Sequence, residues 1–263
     1  MDIFKNDIDG GKAFDWGRTS SDYAKFRDIY PPVFFGKVAE RGICVKGQRV
    51  LDIGTGTGVV PRNMYKYGAE WTGSDISENQ IAQAKSLAEA NGMKIDFVVS
   101  AAEDLDFSEE SFDVITACQC FFYFDYDKVI PKLAKLLKKG GRLVILFMAW
   151  LPDDDKLAGE SEKLVLKYNP KWTGGGYTRK PVFVPEIANE YFDVEYAEDY
   201  DLIVPFTRES WNGRMKACRG VGASMTEEEI AAWEREHMEM LEKTPSDDLE
   251  ILHHAAMAIL RKK

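Results

Sequence analysis

The stretch RVLDIGTGTGVV, Arg49 to Val60, constrains the fold more than any other part of the sequence. A strand-like run with one acid leads directly into three glycines at alternate positions, Gly54, Gly56 and Gly58. Because glycine has no Cβ, a ligand can lie directly against the backbone there. A strand, a glycine loop and then a helix place that backbone at the carboxyl edge of a sheet, where α/β folds bind ligands. A tight turn packed on its own helix is the alternative, although one glycine usually suffices for such a turn.

The acid in this motif narrows the choice of ligand. Gly54 and Gly56 match the dinucleotide-binding pattern G-x-G-x-x-G/A, but its third place is Val59. The motif instead reads D-x-G-x-G-x-G and begins at Asp52. A carboxylate there disfavours a pyrophosphate and attracts an ammonium group. The loop therefore suits a ligand with a cationic end and a carboxylate that meets backbone amides.

A second acid, Asp75, ends the next strand-like run, one short helix and one strand after the glycines. A carboxylate in that position can accept hydrogen bonds from both hydroxyls of a ribose. The alternative is an acid that only caps the following helix. Together with the glycine loop upstream, the position favours the ribose.

Strand-like and helix-like segments alternate along the first half of the chain. The predicted buried strands are QRVLDIG, AEWTGSD, KIDFVVS, FDVITA and RLVILFM. This alternation predicts an α/β fold with a mostly parallel sheet and helices on both faces. In the second half, we expect a sixth strand in FDVEYAEDYDLIV and a closing antiparallel strand in LEILHHAAMAILRK.

The segment DKVIPKLAKLLKKGG is predicted to be an amphipathic helix between the fourth and fifth strands. Its apolar face consists of Val129, Ile130, Leu133, Leu136 and Leu137. Pro131 fits a helix best in the first turn, where its missing amide has no partner, so the helix should begin near Asp127. Gly140–Gly141 should end it.

The 263 residues are predicted to form four segments. Residues 1–45 are an N-terminal helical lid, and residues 46–150 are a Rossmann-like cofactor-binding core. Residues 151–190 are too long for an ordinary connection and are predicted to form a cap insertion. Residues 191–263 are predicted to complete the core sheet around a helical insertion.

Composition excludes several functional classes. The formal net charge of -10 argues against nucleic acid as a partner, because phosphate backbones bind basic surfaces. Four cysteines without a CxxC pair and three histidines make a zinc site improbable, so no metal is expected. We expect neither a signal peptide nor a membrane partner, and the sparse cysteines suggest the cytoplasm. Oligomeric state stays open.

Five blocks occur together in a familiar order: VLDIGTGTG, GSDIS, SAAEDLDF, SFDVITACQCFFYF and LLKKGGRLVIL. In this order and spacing they resemble the class I S-adenosylmethionine-dependent methyltransferases. The resemblance extends over about Gln48 to Trp150. It implies a seven-stranded sheet whose last strand is antiparallel, with S-adenosylmethionine as cofactor and a small-molecule methyl acceptor.

The resemblance also implies roles for individual residues. The methionine part of the cofactor would be held by Asp52, Gly54, Thr55, Gly56 and Gly58. Asp75 would hold the ribose, and the adenine would meet Ile76, the Ala102 amide and the Glu103 carboxylate. Cys118 and Gln119 would face the methyl centre, with the Cys118 carbonyl near the cofactor's ammonium. Core packing is the alternative for the Cys118 side chain.

The acceptor pocket is expected to form from residues outside these blocks. The aromatic and arginine-rich N-terminal segment resembles a lid of small-molecule methyltransferases. The residues predicted to line the lid and the substrate pocket are Trp16, Arg18, Tyr23, Arg27, Tyr30, Trp150, Tyr177 and Arg214, with Trp172, Trp211 and Arg219 as further candidates. In CFFYFDY, Tyr123 and Asp125 are candidate catalytic residues because they carry polar tips, whereas Phe121 and Phe122 could be core or part of a cation cage.

Two other functions remain open at this point. A nicotinamide-dependent oxidoreductase would share the fold, although Val59 and Asp52 argue against it. A non-catalytic S-adenosylmethionine-binding protein would keep the same binding blocks, because binding motifs do not prove turnover.

Overall fold

The computed structural model describes residues 8–263, apart from the side chains of Trp16, Ser21 and Tyr23. Within this part the strands are β1 Arg49–Ile53, β2 Glu70–Asp75, β3 Asp96–Val99, β4 Phe112–Cys118, β5 Leu137–Trp150, β6 Phe192–Phe206 and β7 Leu249–Lys262. The helices are α1 Ser20–Phe26, α2 Pro32–Ala39, α3 Val59–Met64, α4 Glu78–Ala90, α5 Tyr126–Leu136, α6 Lys156–Tyr168, α7 Ala188–Tyr191, α8 Arg208–Lys216 and α9 Glu227–Leu241. No helix among residues 8–263 is long and apolar enough to cross a membrane.

The strands form one seven-stranded sheet in the order β3-β2-β1-β4-β5-β7-β6. β1 pairs in parallel with both β2 and β4, and β4 pairs in parallel with β5. The sheet is mixed because the last strand is antiparallel. The predicted fold class is therefore confirmed.

The strand order reverses at β1. From there the chain proceeds outward to β2 and β3, then returns to place β4 on the other side of β1. The connections on the two sides leave in opposite directions, which opens a crevice beyond the carboxyl ends of β1 and β4. The glycine loop that follows β1 borders this crevice.

α5 packs on the sheet through its apolar face, as predicted, but its boundaries differ from the prediction. It begins at Tyr126 and ends at Leu136, so Pro131 lies in the second turn and not the first. Leu137 already pairs with Phe112 as the first residue of β5. Gly140 and Gly141 therefore lie within a strand, where the register shifts, and do not end the helix. Strand pairing overrode the local stop signal.

The chain divides into two compact units. The sheet unit consists of residues 30–148, 180–200 and 255–263. The helical unit, as far as it is described, consists of residues 8–29, 149–179 and 201–254 and contains α1, α6, α8 and α9. The predicted cofactor-binding residues all fall in the sheet unit.

The helical unit has a buried ion pair at its centre. Asp9 accepts hydrogen bonds from Arg219 Nε at 2.8 Å and Arg219 Nη2 at 3.0 Å. The same carboxylate accepts from the amide of Thr173 at 2.7 Å and from its hydroxyl at 3.0 Å. Both charged side chains are buried. Arg219, one of the further candidates for the substrate pocket, thus anchors the N-terminal segment within this unit.

Candidate active site

The glycine loop after β1 turns sharply because its three glycines adopt left-handed backbone angles. Their φ values are +60° at Gly54, +55° at Gly56 and +75° at Gly58, a region that disfavours side chains. Gly54 and Gly56 are half-exposed, whereas Thr55 and Thr57 between them are buried. The loop therefore presents bare backbone on its open side, and Gly58 leads directly into α3.

Asp52 lies just below this loop, and its side chain is 1% exposed. Its Oδ1 accepts a hydrogen bond of 2.6 Å from the hydroxyl of Thr116, which is its register partner on β4. Its Oδ2 is buried and has no hydrogen-bond partner among residues 8–263. Burial raises the pKa of Asp52 to about 7, against the opposing effects of the Thr116 and Thr55 hydroxyls. An oxygen in this state is suited to a buried cation, which would compensate its desolvation.

Asp75 ends β2 beside the same loop. Its Oδ2 accepts from the amide of Gly56 and its Oδ1 from the amide of Ser77, both at 2.9 Å. Burial raises the pKa of Asp75, while these backbone amides lower it. Because each carboxylate oxygen can accept more than one hydrogen bond, Asp75 can brace the loop and still receive two hydroxyls. Ile76, the next residue, is 39% exposed and offers an apolar surface at the rim.

The predicted adenine-binding residues lie in the short turn Ala102–Asp104 after β3. Ala102 is buried, whereas the Glu103 side chain is half-buried. Glu103 Oε1 accepts a hydrogen bond of 2.9 Å from the amide of Asp125. Glu103 therefore holds the segment before α5 in place, and its second oxygen is the one that a ligand amine would meet.

Cys118 and Gln119 lie where β4 ends at the crevice. Cys118 is half-buried, and its Sγ lies 3.7 Å from the hydroxyl of Tyr30. Gln119 has a left-handed backbone with φ of +64°, which is unusual for a residue with a side chain. Its amide donates to the carbonyl of Leu146, and its side-chain Nε2 donates to the carbonyl of Met148. Gln119 thereby ties the turn after β4 to the end of β5.

The sequence reasoning missed two residues that shape this site. The sequence pattern predicts Thr116 only as part of a strand. Its hydroxyl, in an otherwise apolar run, is the signal that could have indicated a hydrogen-bond partner for a buried acid. Cys120 packs against the glycine loop, and its Sγ lies 3.0 Å from the carbonyl of Ile53. Burial raises the pKa of the Cys120 thiol well above its usual range, so it acts as a packing group and not as a nucleophile.

The two candidate catalytic side chains differ in their surroundings. Asp125 forms an ion pair of 3.0 Å with Lys128, and the Lys128 ammonium lowers its pKa. A carboxylate held in its ionised form by a lysine is a weak base, which makes Asp125 the poorer candidate. Tyr123 is half-buried in the turn Phe121–Tyr123. Phe121 is core, but Phe122 is 46% exposed.

The predicted lid and substrate residues are divided between the units. Tyr30 lies in the sheet unit, where its ring stacks on Phe34 at 4.8 Å. The residues that fall in the helical unit are Arg18, Arg27, Trp150, Trp172, Tyr177, Trp211 and Arg214. The side chains of Trp16 and Tyr23 lie outside what the structure describes.

Within the helical unit, several of these side chains are engaged with one another or with neighbours. The buried Arg214 guanidinium lies 4.7 Å above the Trp150 ring, and the Trp150 indole donates to Glu162. Tyr177 shares a hydrogen bond of 3.0 Å with His254. Arg18 donates to the carbonyl of Met225.

Comparison with known proteins shows which proteins this chain resembles in sequence and fold. Residues 50–141 match the family model described as a methyltransferase domain. The chain is 36% identical over 108 residues to the ubiquinone biosynthesis O-methyltransferase of Coxiella burnetii, which covers 41% of this chain and 46% of that protein. It is 37% identical over 102 residues to the demethylmenaquinone methyltransferase of Thermus thermophilus, with coverage of 38% and 46%. The YcgJ protein of Bacillus subtilis has a similar fold, with a TM-score of 0.54 and 23% identity over 88% of this chain and 98% of that one.

Residues 50–141 thus form a methyltransferase domain, and the resemblance of this part of the chain to the class I S-adenosylmethionine-dependent methyltransferases is confirmed. The chain spans about half the length of the curated relatives that it matches. The class implies S-adenosylmethionine as the cofactor. The nicotinamide alternative is not favoured by these matches.

The residues present fit this cofactor. The buried Asp52 Oδ2, which has no hydrogen-bond partner among residues 8–263, would provide a counter-charge for the ammonium of its methionine part. Gly54 and Gly56 leave bare backbone beside that carboxylate, and Asp75 and Ile76 follow on the neighbouring strand end. Cation, ribose and apolar ring would therefore each meet a suitable group along one edge of the sheet.

Proposed function

We propose that this chain transfers a methyl group from S-adenosylmethionine to a small-molecule acceptor. The single observation that carries the proposal is the buried Asp52 oxygen, without a hydrogen-bond partner in the described part of the chain, beneath a loop of three left-handed glycines. The bound cofactor supplies a methyl group on a positively charged sulfur, which is already activated for displacement. The chain's own task is then to bind, orient and exclude water.

The roles assigned to individual residues remain part of this proposal. Asp52 would hold the cationic end, Asp75 the ribose and Ile76 the adenine face. Ala102 and Glu103 would meet the adenine edge. The turn Cys118–Gln119 would border the methyl centre, and its tether to β5 would keep that border rigid.

The acceptor is proposed as a small molecule whose identity is open. Two matched relatives are named for methylation in ubiquinone biosynthesis and of demethylmenaquinone, which supports a small organic acceptor. The dispersed acidic charge supports the same choice over nucleic acid. The predicted lid set, from Trp16 and Arg18 to Tyr177 and Arg214, stays a proposal based on resemblance. Four free cysteines support a reducing compartment such as the cytoplasm.

Two measurements test the function. Calorimetry with S-adenosylmethionine should show binding, and labelled cofactor with a panel of phenols, carboxylic acids and amines should show methyl transfer. Binding without transfer to any acceptor would favour the non-catalytic alternative. An absence of binding would refute the proposal outright.

Replacing Asp75 by alanine should weaken cofactor binding by about 1–3 kcal/mol, the range for lost hydrogen bonds to a charged group. The structure adds a second reason, because Asp75 also accepts from the Gly56 amide and so braces the loop. Calorimetric titration with S-adenosylmethionine measures the change. Asp96→Ala is the matched control, since Asp96 is exposed and begins the neighbouring strand β3 at its opposite end. Equal affinities for wild type and Asp75→Ala would remove the ribose assignment.

Cofactor affinity should increase as pH increases from about 5.5 to 7.5. The pKa of Asp52 is raised to about 7, so in the free protein its carboxyl is largely protonated below that value. Only the ionised form attracts an ammonium, and an α-amino group stays protonated up to about pH 7.7. The association constant should therefore rise by up to about tenfold per pH unit below 7. Calorimetry across this range measures the slope.

Asp52→Asn is the control for the pH dependence. It should bind more weakly than wild type throughout and show little change between the two pH values. A wild-type profile that is flat, or a slope retained in Asp52→Asn, would assign the counter-charge to another group.

A further inference from the structure

An exposed phenylalanine lies beside the proposed methyl centre. Phe122 lies in the turn Phe121–Tyr123 that follows β4, and 46% of its surface is exposed although Phe121 before it is buried. Large aromatic side chains normally bury most of their surface, because each can remove a substantial apolar area from water. Exposure alone does not mark a site, since Phe183 is 65% exposed, but Phe122 differs in its position directly after β4, three residues from Gln119.

Phe122 belongs to a small group of rings at the carboxyl ends of β4 and β5. Its centroid lies 4.3 Å from that of Tyr123 and 6.1 Å from that of Phe147, which is on β5. Tyr123 and Phe147 are half-buried. We call Phe122, Tyr123 and Phe147 the aromatic shelf. All three rings lie in the sheet unit, as do the glycine loop and Asp75.

Gln119 fixes the geometry of this shelf. Its amide binds the carbonyl of Leu146 and its side chain binds the carbonyl of Met148, which are the two residues on either side of Phe147. The Tyr123 amide donates to the carbonyl of Cys120 at 2.9 Å and closes the turn that carries Phe122. The left-handed backbone of Gln119 is an unfavourable conformation that these bonds maintain. The fold thus holds Phe122 and Phe147 in a set relation while leaving a face of Phe122 open.

A cation cage is the main alternative for clustered rings, and the local charges disfavour it. The only acid between Gln119 and Tyr126 in the sequence is Asp125, which pairs with Lys128 at 3.0 Å, and Glu103 of the turn after β3 already accepts a hydrogen bond from the Asp125 amide. A cage also encloses its cation between several ring faces. The open face of Phe122 is better suited to a flat ring laid against it, because aromatic rings prefer offset or edge contacts.

We propose that the aromatic shelf binds the methyl acceptor through a flat, unsaturated ring, so that the acceptor class is aromatic or quinone-like. This inference rests on the proposed methyltransferase function, but the binding of a flat ring can be measured without methyl transfer. The substrate ring would lie on Phe122 and meet Phe147 and Tyr123 at its edges. Gln119 is then a positioning residue that aligns the shelf with the end of β4.

The test compares two probes of the same carbon skeleton, 2-naphthol and the saturated decahydro-2-naphthol. Saturation-transfer NMR in the presence of S-adenosylmethionine gives their dissociation constants for the full chain. Wild type should bind 2-naphthol more tightly than its saturated counterpart. Phe122→Leu, which keeps an apolar side chain, should weaken 2-naphthol by about 3- to 10-fold and leave decahydro-2-naphthol within about 2-fold.

Phe183→Leu is the matched control, because Phe183 is the other strongly exposed phenylalanine of the sheet unit and contacts Tyr126 instead. It should leave both dissociation constants unchanged. The thermal midpoint of Phe122→Leu, compared with that of Phe183→Leu, checks that the exposed substitution leaves the fold intact.

Three results would overturn the inference. The first is an equal affinity of wild type and Phe122→Leu for 2-naphthol. The second is an equal loss of affinity for both probes in Phe122→Leu. The third is displacement of 2-naphthol by phenyltrimethylammonium at a lower concentration than by phenol. The last would identify a cation cage. If the proposed methyltransferase function is wrong, a different result is expected, because the cofactor itself would not bind or no methyl label would reach any acceptor.

Discussion

Gly54→Ala should weaken S-adenosylmethionine binding by about 30- to 100-fold, the largest effect expected from a single added carbon. The φ of Gly54 is +60°, and a Cβ there would lie 2.7 Å from both Cβ and Sγ of Cys120. A left-handed backbone costs a non-glycine residue about 1–2 kcal/mol, and overpacking adds about 1–3 kcal/mol. The expected loss of affinity corresponds to about 2–3 kcal/mol, the lower part of that sum, because some of the cost falls on folding and not on binding. Because Cys120 cannot retreat without moving the turn after β4, both sides of the proposed cofactor site should shift. Calorimetry with S-adenosylmethionine measures the loss.

Two variants separate the causes of this effect. Gly47→Ala carries a similar backbone penalty, since its φ is +88°, but its Cβ would meet nothing within 4 Å and it precedes the amino end of β1. It should lower stability slightly and leave affinity unchanged. Adding Cys120→Gly to Gly54→Ala removes both clashing atoms and should restore part of the affinity. Full affinity in Gly54→Ala, or no recovery in the double variant, would show that the loop does not carry the cofactor as described.

Asp9→Ala should lower the free energy of unfolding of the helical unit by about 3–5 kcal/mol, as expected when one partner of a buried ion pair is removed. The substitution leaves the Arg219 guanidinium buried without its carboxylate, and two donors of Thr173 lose their acceptor as well. Denaturation followed by tryptophan fluorescence reports on this unit, because only Trp71 of the six tryptophans lies outside it.

The exposed ion pair between Lys25 and Glu209, at 2.8 Å, provides the comparison for Asp9→Ala. Glu209→Ala should cost no more than about 1 kcal/mol, since exposed pairs contribute little. If Asp9→Ala and Glu209→Ala cost the same, the Asp9 carboxylate does not anchor the N-terminal segment.

Local patterns in the sequence were enough to predict the sheet and the loop that defines the site. The glycines, Asp52 and Asp75 each lie at a strand end, and strand ends can be recognised in a sequence from hydrophobic runs and turn residues. The end of α5 was not predictable in this way. Gly140–Gly141 is a normal helix stop signal, yet Leu137 had already joined β5 through its pairing with Phe112. Partners on another strand decide such a boundary, and a local pattern does not contain them.

Long-range contacts account for the remaining differences. The partner of Arg219 is Asp9, at the other end of the chain, so nothing near Arg219 in sequence distinguishes it from an anion-binding arginine. Glu103 is engaged by the amide of Asp125 for the same kind of reason. Thr116 is a different case, because a hydroxyl in the middle of a buried strand could have been recognised as the partner of Asp52.

The position of β6 at the edge of the sheet has a consequence for how copies of this chain meet one another. A strand of 15 residues with an unpaired side is a template onto which another chain can add. Here the exposed positions along it include Asp193, Glu195, Asp199 and Asp201, and Pro205 removes one amide donor. Three of these acids are held in ion pairs, Asp193 with Lys263, Glu195 with Arg142 and Asp201 with Arg179, so a second strand laid alongside would have to disrupt or bury charged groups. Charged side chains and a proline along β6 therefore disfavour the addition of another strand at this edge.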